Sequence, residues 1–232
     1  MSRLYDWAGD QLRSFYDTRI DTPPILDRDR YFPQHRVFRE NWRAIRAECL
    51  DLMRDIGAVP QFHELMAEQK SLSAHGNRFW RLFVLRAYGV DEIGNQARLP
   101  FTTSLFKDRR EVASVTVSFL EGHKHIPPHR GPFRGVLRYH LGLVIPATAD
   151  GSSSNRMRID GVTHELHEGA DLLWDDTYMH EVWNDSESVR AALLIDVIRP
   201  QMPLMPKLLT RLVLLIVGLA VRVKGWRRGD EG

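Results

Sequence analysis

The apolar residues in the first third of the chain recur at helical intervals. Between residues 37 and 55 they return every three or four positions, which predicts an amphipathic helix packed on a sheet and ending near Gly57. The apolar stripe consists of Phe38, Trp42, Ile45, Cys49 and Met53. Residues 1–35 are charged and contain three prolines, so we expect a short helix followed by an arm on the body.

Further along, the apolar pattern changes to alternation. From residue 113, Val115, Val117 and Phe119 alternate with Thr116 and Ser118, as in a half-buried strand. Further strands are predicted at 80–88, 136–145, 156–160, 170–175 and 190–198, and a helix is predicted at 100–109. Turn-rich spacers such as ADGSSSN separate the strands, and this order predicts a β-sandwich or barrel.

The C-terminal segment is apolar and basic. Its uninterrupted apolar run, 212–221, has ten residues and is shorter than the ~20 residues that span a bilayer. Residues 207–228 contain six Lys or Arg and no acidic residue. We therefore expect a helix lying on a membrane surface, the alternative being a helix that packs on the body or on a second subunit.

The composition limits which binding partners and which cellular compartment we expect for the protein. The net charge is +2 although the tail is strongly basic, so the rest of the chain is net acidic and we expect no nucleic-acid partner. The single cysteine, Cys49, and an N-terminus without an apolar segment favour a reducing compartment. We expect a cytoplasmic protein, either free or peripheral on the cytoplasmic face of the membrane.

Two histidines are the candidate metal ligands. Seven of the ten histidines lie between residues 123 and 180, and neutral imidazole is the commonest metal ligand in proteins. His129 stands between two prolines and a Gly-Pro pair, whereas His180 follows the segment DDTYM. Two histidines from separate strands can meet at the mouth of a barrel. They would leave several metal positions open, as non-haem iron oxygenases require.

Basic residues on predicted strands indicate an anion site. The alternation in GVLRYHLGL places Arg138 and His140 on one strand face, where burial is costly unless an anion meets them. Arg190 begins the strand that follows His180 and could hold a carboxylate with two hydrogen bonds. The alternative for each arginine is an internal salt bridge, with acidic candidates at Asp175, Asp176 and Asp196.

At these residues the sequence resembles the aspartyl/asparaginyl β-hydroxylase family of Fe(II)- and 2-oxoglutarate-dependent dioxygenases. The shared motifs are HRGP at 129–132, LRYHLGL at 137–143, EG at 168–169, DD at 175–176, HEVWND at 180–185, and Arg190 followed by IDV. Their order and spacing agree over about residues 80–200, and FRENWRAIRAE resembles the family's upstream segment. The sequence also resembles bacterial members that hydroxylate the acyl chains of membrane lipids.

The resemblance implies a mainly β fold with a double-stranded β-helix core, also called a jelly-roll or cupin-like core. This core would cover residues 80–200, with residues 1–79 forming an arm and helices packed outside it and residues 201–232 a proline-rich linker and apolar tail helix. By the same resemblance, His129 and His180 would be the catalytic ligands of Fe(II). Gly131 stands where many 2-oxoglutarate oxygenases carry Asp or Glu, so a water would take the place of that carboxylate.

The resemblance also assigns the cosubstrate and the reaction. Arg190, His140 and Ser118 would bind 2-oxoglutarate, and Arg138 would face the substrate. The implied reaction uses O2, converts 2-oxoglutarate to succinate and CO2, and hydroxylates an unactivated C–H bond. The substrate would be an Asp or Asn side chain or a related amino acid, in a small molecule or a peptide. Alternatives are a lipid acyl-chain hydroxylase, a non-catalytic jelly-roll membrane adaptor, and a cupin-like metal isomerase or hydrolase.

Overall fold

The computed structural model describes residues 3–66, 69–73, 78–147 and 153–224. Its helices are α1 (Arg3–Asp17), α2 (Arg28–Tyr31), α3 (His35–Glu40), α4 (Trp42–Met53), α5 (Phe62–Leu65), α6 (Lys70–Ser73), α7 (Ile93–Arg98), α8 (Pro100–Ser104) and α9 (Leu204–Lys224), with a 3-10 turn at Ile56–Ala58. Its strands are β1 (Trp80–Ala87), β2 (Val90–Asp91), β3 (Val112–Leu120), β4 (Lys124–His129), β5 (Val136–Val144), β6 (Asn155–Ile159), β7 (Val162–Glu165), β8 (Asp171–Trp174), β9 (His180–Asn184) and β10 (Arg190–Ile198).

The strands form two antiparallel sheets that face each other. The large sheet has the order β2-β1-β3-β10-β5-β8, and the small sheet has the order β4-β9-β6-β7. From β3 to β10 the chain moves back and forth between the two sheets, which is the winding of a double-stranded β-helix. The predicted mainly β jelly-roll with flanking helices is therefore confirmed. The division into segments at residues 79/80 and 200/201 stays a prediction.

Helices cover the outer face of the large sheet. Leu137, Tyr139 and Leu141 of β5 are fully buried on this face, in one cluster with Ile45 and Cys49 of α4. The single helix predicted for 37–55 is two helices, because the chain leaves helical geometry at Asn41. The helix predicted for 100–109 is also shorter, since α8 ends at Ser104.

The inner faces of the two sheets enclose a second cluster that includes Trp80, Leu120, Trp174 and Val182. The predicted strands are all present, with ends that differ by a few residues. Four strands, β2, β4, β7 and β9, were not predicted from the sequence. His129 is the last residue of β4 and His180 is the first residue of β9.

The arm before α2 is fixed to the sheet by a buried acid. Asp175 N–H donates to the carbonyl of Pro24 at 2.9 Å, and the Asp175 carboxylate accepts from Arg134 Nε at 2.9 Å and from Arg199. Leu26 N–H also donates to the carbonyl of Leu173 at 2.9 Å. These bonds hold the arm beside β8, which lines the candidate site described below.

The apolar tail forms one long helix. The helix extends past the ten-residue apolar run and covers all of Leu204–Lys224, so the expectation that this segment is too short to span a bilayer is wrong by length. In the described part of the chain, Leu204–Val223 is the one helix whose length and composition would allow it to cross a membrane. Residues 225–228 of the predicted basic tail lie outside the described residues.

Candidate metal and anion site

The two candidate ligands meet across neighbouring strands of the small sheet. His129 of β4 is the register partner of His180 of β9, and the ring centroids are 4.0 Å apart. Between Ile126 and His129, β4 has one residue more than β9, so the Pro127–Pro128 pair lies in a bulge. Proline suits this position because it has no N–H to give to the ladder.

The hydrogen bonds of the two rings leave one nitrogen of each available to a metal. His129 Nδ1 lies 2.8 Å from the carbonyl of Pro127, and His180 Nδ1 lies 2.9 Å from the carbonyl of Tyr178. Because a carbonyl oxygen only accepts, each Nδ1 carries the proton and each Nε2 keeps its lone pair. Burial lowers the pKa of both imidazoles, which favours the neutral form that binds metals.

Gly131 and Asp176 meet beside the histidine pair. A Cβ at Gly131 would collide with the carboxylate of Asp176, and Gly131 N–H donates to the carbonyl of Asp176 at 2.7 Å. Among the residues that the structure describes, no third His, Cys, Asp or Glu forms a metal-binding group with the two histidines. Burial raises the pKa of Asp176 to about 6, although Arg138 opposes this effect.

Arg190 is a buried cation without a counter-ion in the part of the chain that the structure describes. Arg190 is 2% exposed, and its Nε and Nη1 have no hydrogen-bond partner among the described residues. Burial alone lowers the pKa of Arg190 to about 10, and no carboxylate offsets the effect. An isolated guanidinium is costly to bury, so these two donors indicate a site for an anion, and a carboxylate fits their fork geometry.

His140 and Ser118 lie on the same inner face as Arg190. Ser118 pairs with Ala192, two residues after Arg190, and His140 pairs with Leu194 on the same strand, β10. His140 Nε2 is buried and has no hydrogen-bond partner among the described residues. Burial, followed by the charge of Arg190, lowers the pKa of His140 well below its usual value. The three predicted cosubstrate residues therefore lie on three adjacent strands.

Trp80, which the sequence analysis did not single out, fixes the hydroxyl of Ser118. Its Nε1–H donates to Ser118 Oγ at 3.0 Å within the inner cluster. The hydroxyl therefore accepts from the indole, and its own O–H is available as a donor to a ligand. An aromatic residue at the start of a predicted strand gave no sign of this role.

Arg138 makes internal ion pairs. Its Nε and Nη2 donate to the two oxygens of Asp196 at 2.8 and 3.2 Å, and its Nη1 lies 3.1 Å from Asp176 Oδ2. This is the alternative that the sequence left open for Arg138. Burial would lower the pKa of Arg138, but Asp196 and Asp176 outweigh burial and raise it. Contact between Arg138 and the substrate stays a prediction.

Arg138 and Trp174 connect the metal side of the site to the anion side. Burial is the main cause of the lowered pKa of His129, His180 and His140, and the charge of Arg138 adds to it in all three. The Trp174 ring meets His180 edge-on at 4.6 Å, and its backbone pairs with Arg138. The histidine pair and the basic residues therefore line one interior.

The sequence model of the aspartyl/asparaginyl β-hydroxylase family matches residues 39–200, which include all six predicted site residues. The chain belongs to this family. It is 31% identical over 182 residues to an ornithine lipid ester-linked acyl 2-hydroxylase of Rhizobium tropici, covering 78% of this chain and 63% of that protein. It is also 30% identical over 172 residues to the aspartyl/asparaginyl beta-hydroxylase of Homo sapiens, covering 72% of this chain and 21% of that protein. The chain thus spans less than two thirds of either relative.

Solved structures give more distant similarities. A Pseudomonas putida prolyl-4-hydroxylase aligns with a TM-score of 0.42 and 18% identity, over 69% of this chain and 87% of that chain. The Schizosaccharomyces pombe Cnp3 cupin domain aligns with a TM-score of 0.34 and 7% identity, over 54% of this chain and 70% of that chain.

Proposed function

We propose that the protein is an Fe(II)- and 2-oxoglutarate-dependent dioxygenase that hydroxylates an unactivated C–H bond. The observation that carries this proposal is Arg190, a buried guanidinium with two donors that are unpaired among the described residues. It lies in the same interior as His129 and His180, whose Nδ1 atoms donate to carbonyls so that Nε2 keeps its lone pair. A metal and a dicarboxylate are the two ligands that this combination fits. Membership of a hydroxylase family supports the same conclusion.

Each residue group has a separate task in this proposal. His129 and His180 hold Fe(II) through Nε2, and the backbone carbonyls that accept from Nδ1 fix the orientation of the rings. Arg190 binds a carboxylate of 2-oxoglutarate, with the His140 and Ser118 side chains beside it. The bound iron, 2-oxoglutarate and O2 together supply the oxidising power for hydroxylation, with succinate and CO2 as coproducts.

The test is succinate formation from 2-oxoglutarate, measured with and without added Fe(II). We expect turnover that requires Fe(II) and is lost in His129→Ala and in His180→Ala. His167→Ala is the matched control, because this histidine is exposed and lies outside the site, and it is expected to keep full turnover. Full turnover in either ligand variant would contradict the proposal.

For the substrate, an Asp or Asn side chain or a related amino acid is one proposal, and the acyl chain of a membrane lipid is the alternative. The exposed apolar face of α9 and the similarity to a lipid acyl hydroxylase favour the lipid. Untargeted mass spectrometry of lipid and peptide fractions separates the two. Products one oxygen atom heavier should appear with the wild type and be absent with His180→Ala, and the fraction that contains them identifies the substrate class.

A further inference from the structure

The outward face of α9 is a stripe of large apolar side chains. Six of them, 48–86% exposed, recur at helical spacing: Leu208, Leu212, Leu215, Ile216, Leu219 and Val223. Scattered apolar residues are normal on protein surfaces, but a continuous stripe over four turns of helix marks a surface that contacts a partner or a membrane.

The opposite face of α9 is fixed to the protein. Thr210 is fully buried and hydrogen-bonds to Tyr16 of α1 at 2.9 Å. Gly218 packs so closely on the chain before β2 that a Cβ there would lie 2.9 Å from the carbonyl of Tyr88. Because these contacts fix the rotation of α9, the apolar stripe points away from the protein.

The charges of α9 favour a membrane over a second copy of the chain. Lys207, Arg211 and Arg222 are exposed, and Leu204–Lys224 contains no Asp or Glu. Two copies paired through their stripes would bring these cations together, which is unfavourable in either orientation. An anionic lipid surface would accept both the apolar stripe and the cations.

We propose that α9 lies in the interface of an anionic membrane, with its stripe inserted between the lipids and its other face docked on the protein. A helix that crossed the bilayer would have to give up the Tyr16–Thr210 bond and the packing of Gly218. This proposal goes beyond the hydroxylase activity and does not depend on it.

Membrane docking of α9 would place the lipid surface close to residues 130–133, the segment that directly follows the candidate metal ligand His129. The segment after His129 packs against both terminal helices. Arg13 of α1 donates to the carbonyl of Gly131 at 3.1 Å, and the rings of Tyr16 and Phe133 are 5.7 Å apart, edge to face. Leu209, Val213 and Leu214 of α9 pack on the same cluster as Phe133. A lipid acyl chain that meets the outer face of α9 would therefore be separated from this segment by α9 itself.

The test is sedimentation of the full chain with vesicles of phosphatidylglycerol mixed with phosphatidylcholine, and with vesicles of phosphatidylcholine alone. We expect stronger binding to the anionic vesicles, weakened by salt. Leu215→Glu should lower the affinity roughly tenfold or more, because it places a charge in the inserted stripe. Val162→Glu is the matched control, since Val162 is an exposed apolar residue of β7, away from α9, and should leave binding unchanged. Arg211→Gln should weaken binding to the anionic vesicles only.

Three outcomes would overturn the proposal. The first is equal vesicle binding by Leu215→Glu and the wild type. The second is a lipid-free dimer in sedimentation velocity that Leu215→Glu dissociates, together with no binding of the wild type to vesicles. The third is resistance to alkaline extraction from cell membranes, which would show that α9 crosses the bilayer. Thermal unfolding of each variant checks that it folds, and His180→Ala should bind vesicles like the wild type, which separates this result from loss of activity.

Discussion

The carboxylate of Asp176 occupies the space that a side chain at Gly131 would need. Asp176 cannot withdraw freely, because Arg138 pairs with it at 3.1 Å. The presence of Asp176, the second aspartate of the DD motif, therefore requires a glycine at position 131 of the HRGP motif. A carboxylate on residue 131 would meet the one already present, which gives a physical reason for the departure of this chain from the pattern of many 2-oxoglutarate oxygenases.

Gly131→Ala should lower the free energy of unfolding by about 1–3 kcal/mol, the usual cost of overpacking a filled site. Combining it with Asp176→Ala should remove the clash, so the effects of the two substitutions should not add. Urea unfolding of the wild type, both single variants and the double variant measures this coupling. Gly57→Ala is the control, because a Cβ there would have no neighbour within 4 Å. Additive effects of the two substitutions would contradict the packing argument.

The alternation of apolar and polar residues was enough to predict β3 and β5, two interior strands of the large sheet. In β5, Leu137, Tyr139 and Leu141 bury one face, and Arg138 and His140 point inward, as the pattern indicated. Alternation is informative there because the two faces meet different surroundings. The same alternation placed Arg138 and His140 on one strand face, whereas the role of Ser118 was implied only by the family resemblance.

The sequence pattern did not predict β4 and β9. The Pro127–Pro128 bulge interrupts the alternation in β4, and β9 is short and mixes buried polar with apolar residues. Which acid pairs with Arg138 was also out of reach, because Asp176 and Asp196 come from distant parts of the chain. Packing between distant segments decides such pairs, and local periodicity carries no information about it.

Arg190→Met should abolish stabilisation by 2-oxoglutarate. The wild-type protein should gain about 2.7 kcal/mol at a ligand concentration one hundred times Kd, whereas the variant should gain nothing. Without ligand, Arg190→Met should be as stable as the wild type or more so, since Nε and Nη1 of the buried guanidinium have no hydrogen-bond partner among the described residues. Thermal unfolding with and without 2-oxoglutarate measures both effects.

Arg156→Met provides the control for this experiment. Arg156 is an exposed arginine paired with Asp185, and its loss should leave the ligand-induced shift intact. A shift of wild-type size in Arg190→Met would show that the anion binds elsewhere.

His140 should make the ligand-free protein less stable in mild acid. Burial and the charge of Arg190 lower its pKa in the folded state, so below pH ~6.5 the unfolded chain binds a proton that the folded chain does not. Stability that is present above this pH is therefore lost as the pH falls, by up to about 1.4 kcal/mol per pH unit for one group. His129 and His180 act in the same direction.

The variant His140→Gln isolates the contribution of His140 to the pH dependence of stability. The pH dependence of unfolding between pH 7 and 5 should become shallower by up to one proton. Asp176 acts oppositely, because its raised pKa makes the folded chain the better proton acceptor below about pH 6. Urea unfolding across this range, with His167→Gln as control, measures the difference. An unchanged slope in His140→Gln would mean that His140 charges as easily in the folded protein as in the unfolded chain.

Arg138→Met should be the most damaging of the arginine substitutions. It leaves Asp176 and Asp196 without their shared partner. Because the side chain of Arg138 is 28% exposed, we expect a cost of about 2–3 kcal/mol, at or below the low end for a fully buried ion pair. Arg156→Met should cost less than about 1 kcal/mol, because its pair is exposed.

If Arg138 also contacts the substrate, Arg138→Lys should raise the KM for the hydroxylated substrate while the KM for 2-oxoglutarate stays near the wild-type value. A rise in the 2-oxoglutarate KM alone would place Arg138 with the anion site, and unchanged constants in a destabilised variant would assign it a structural role.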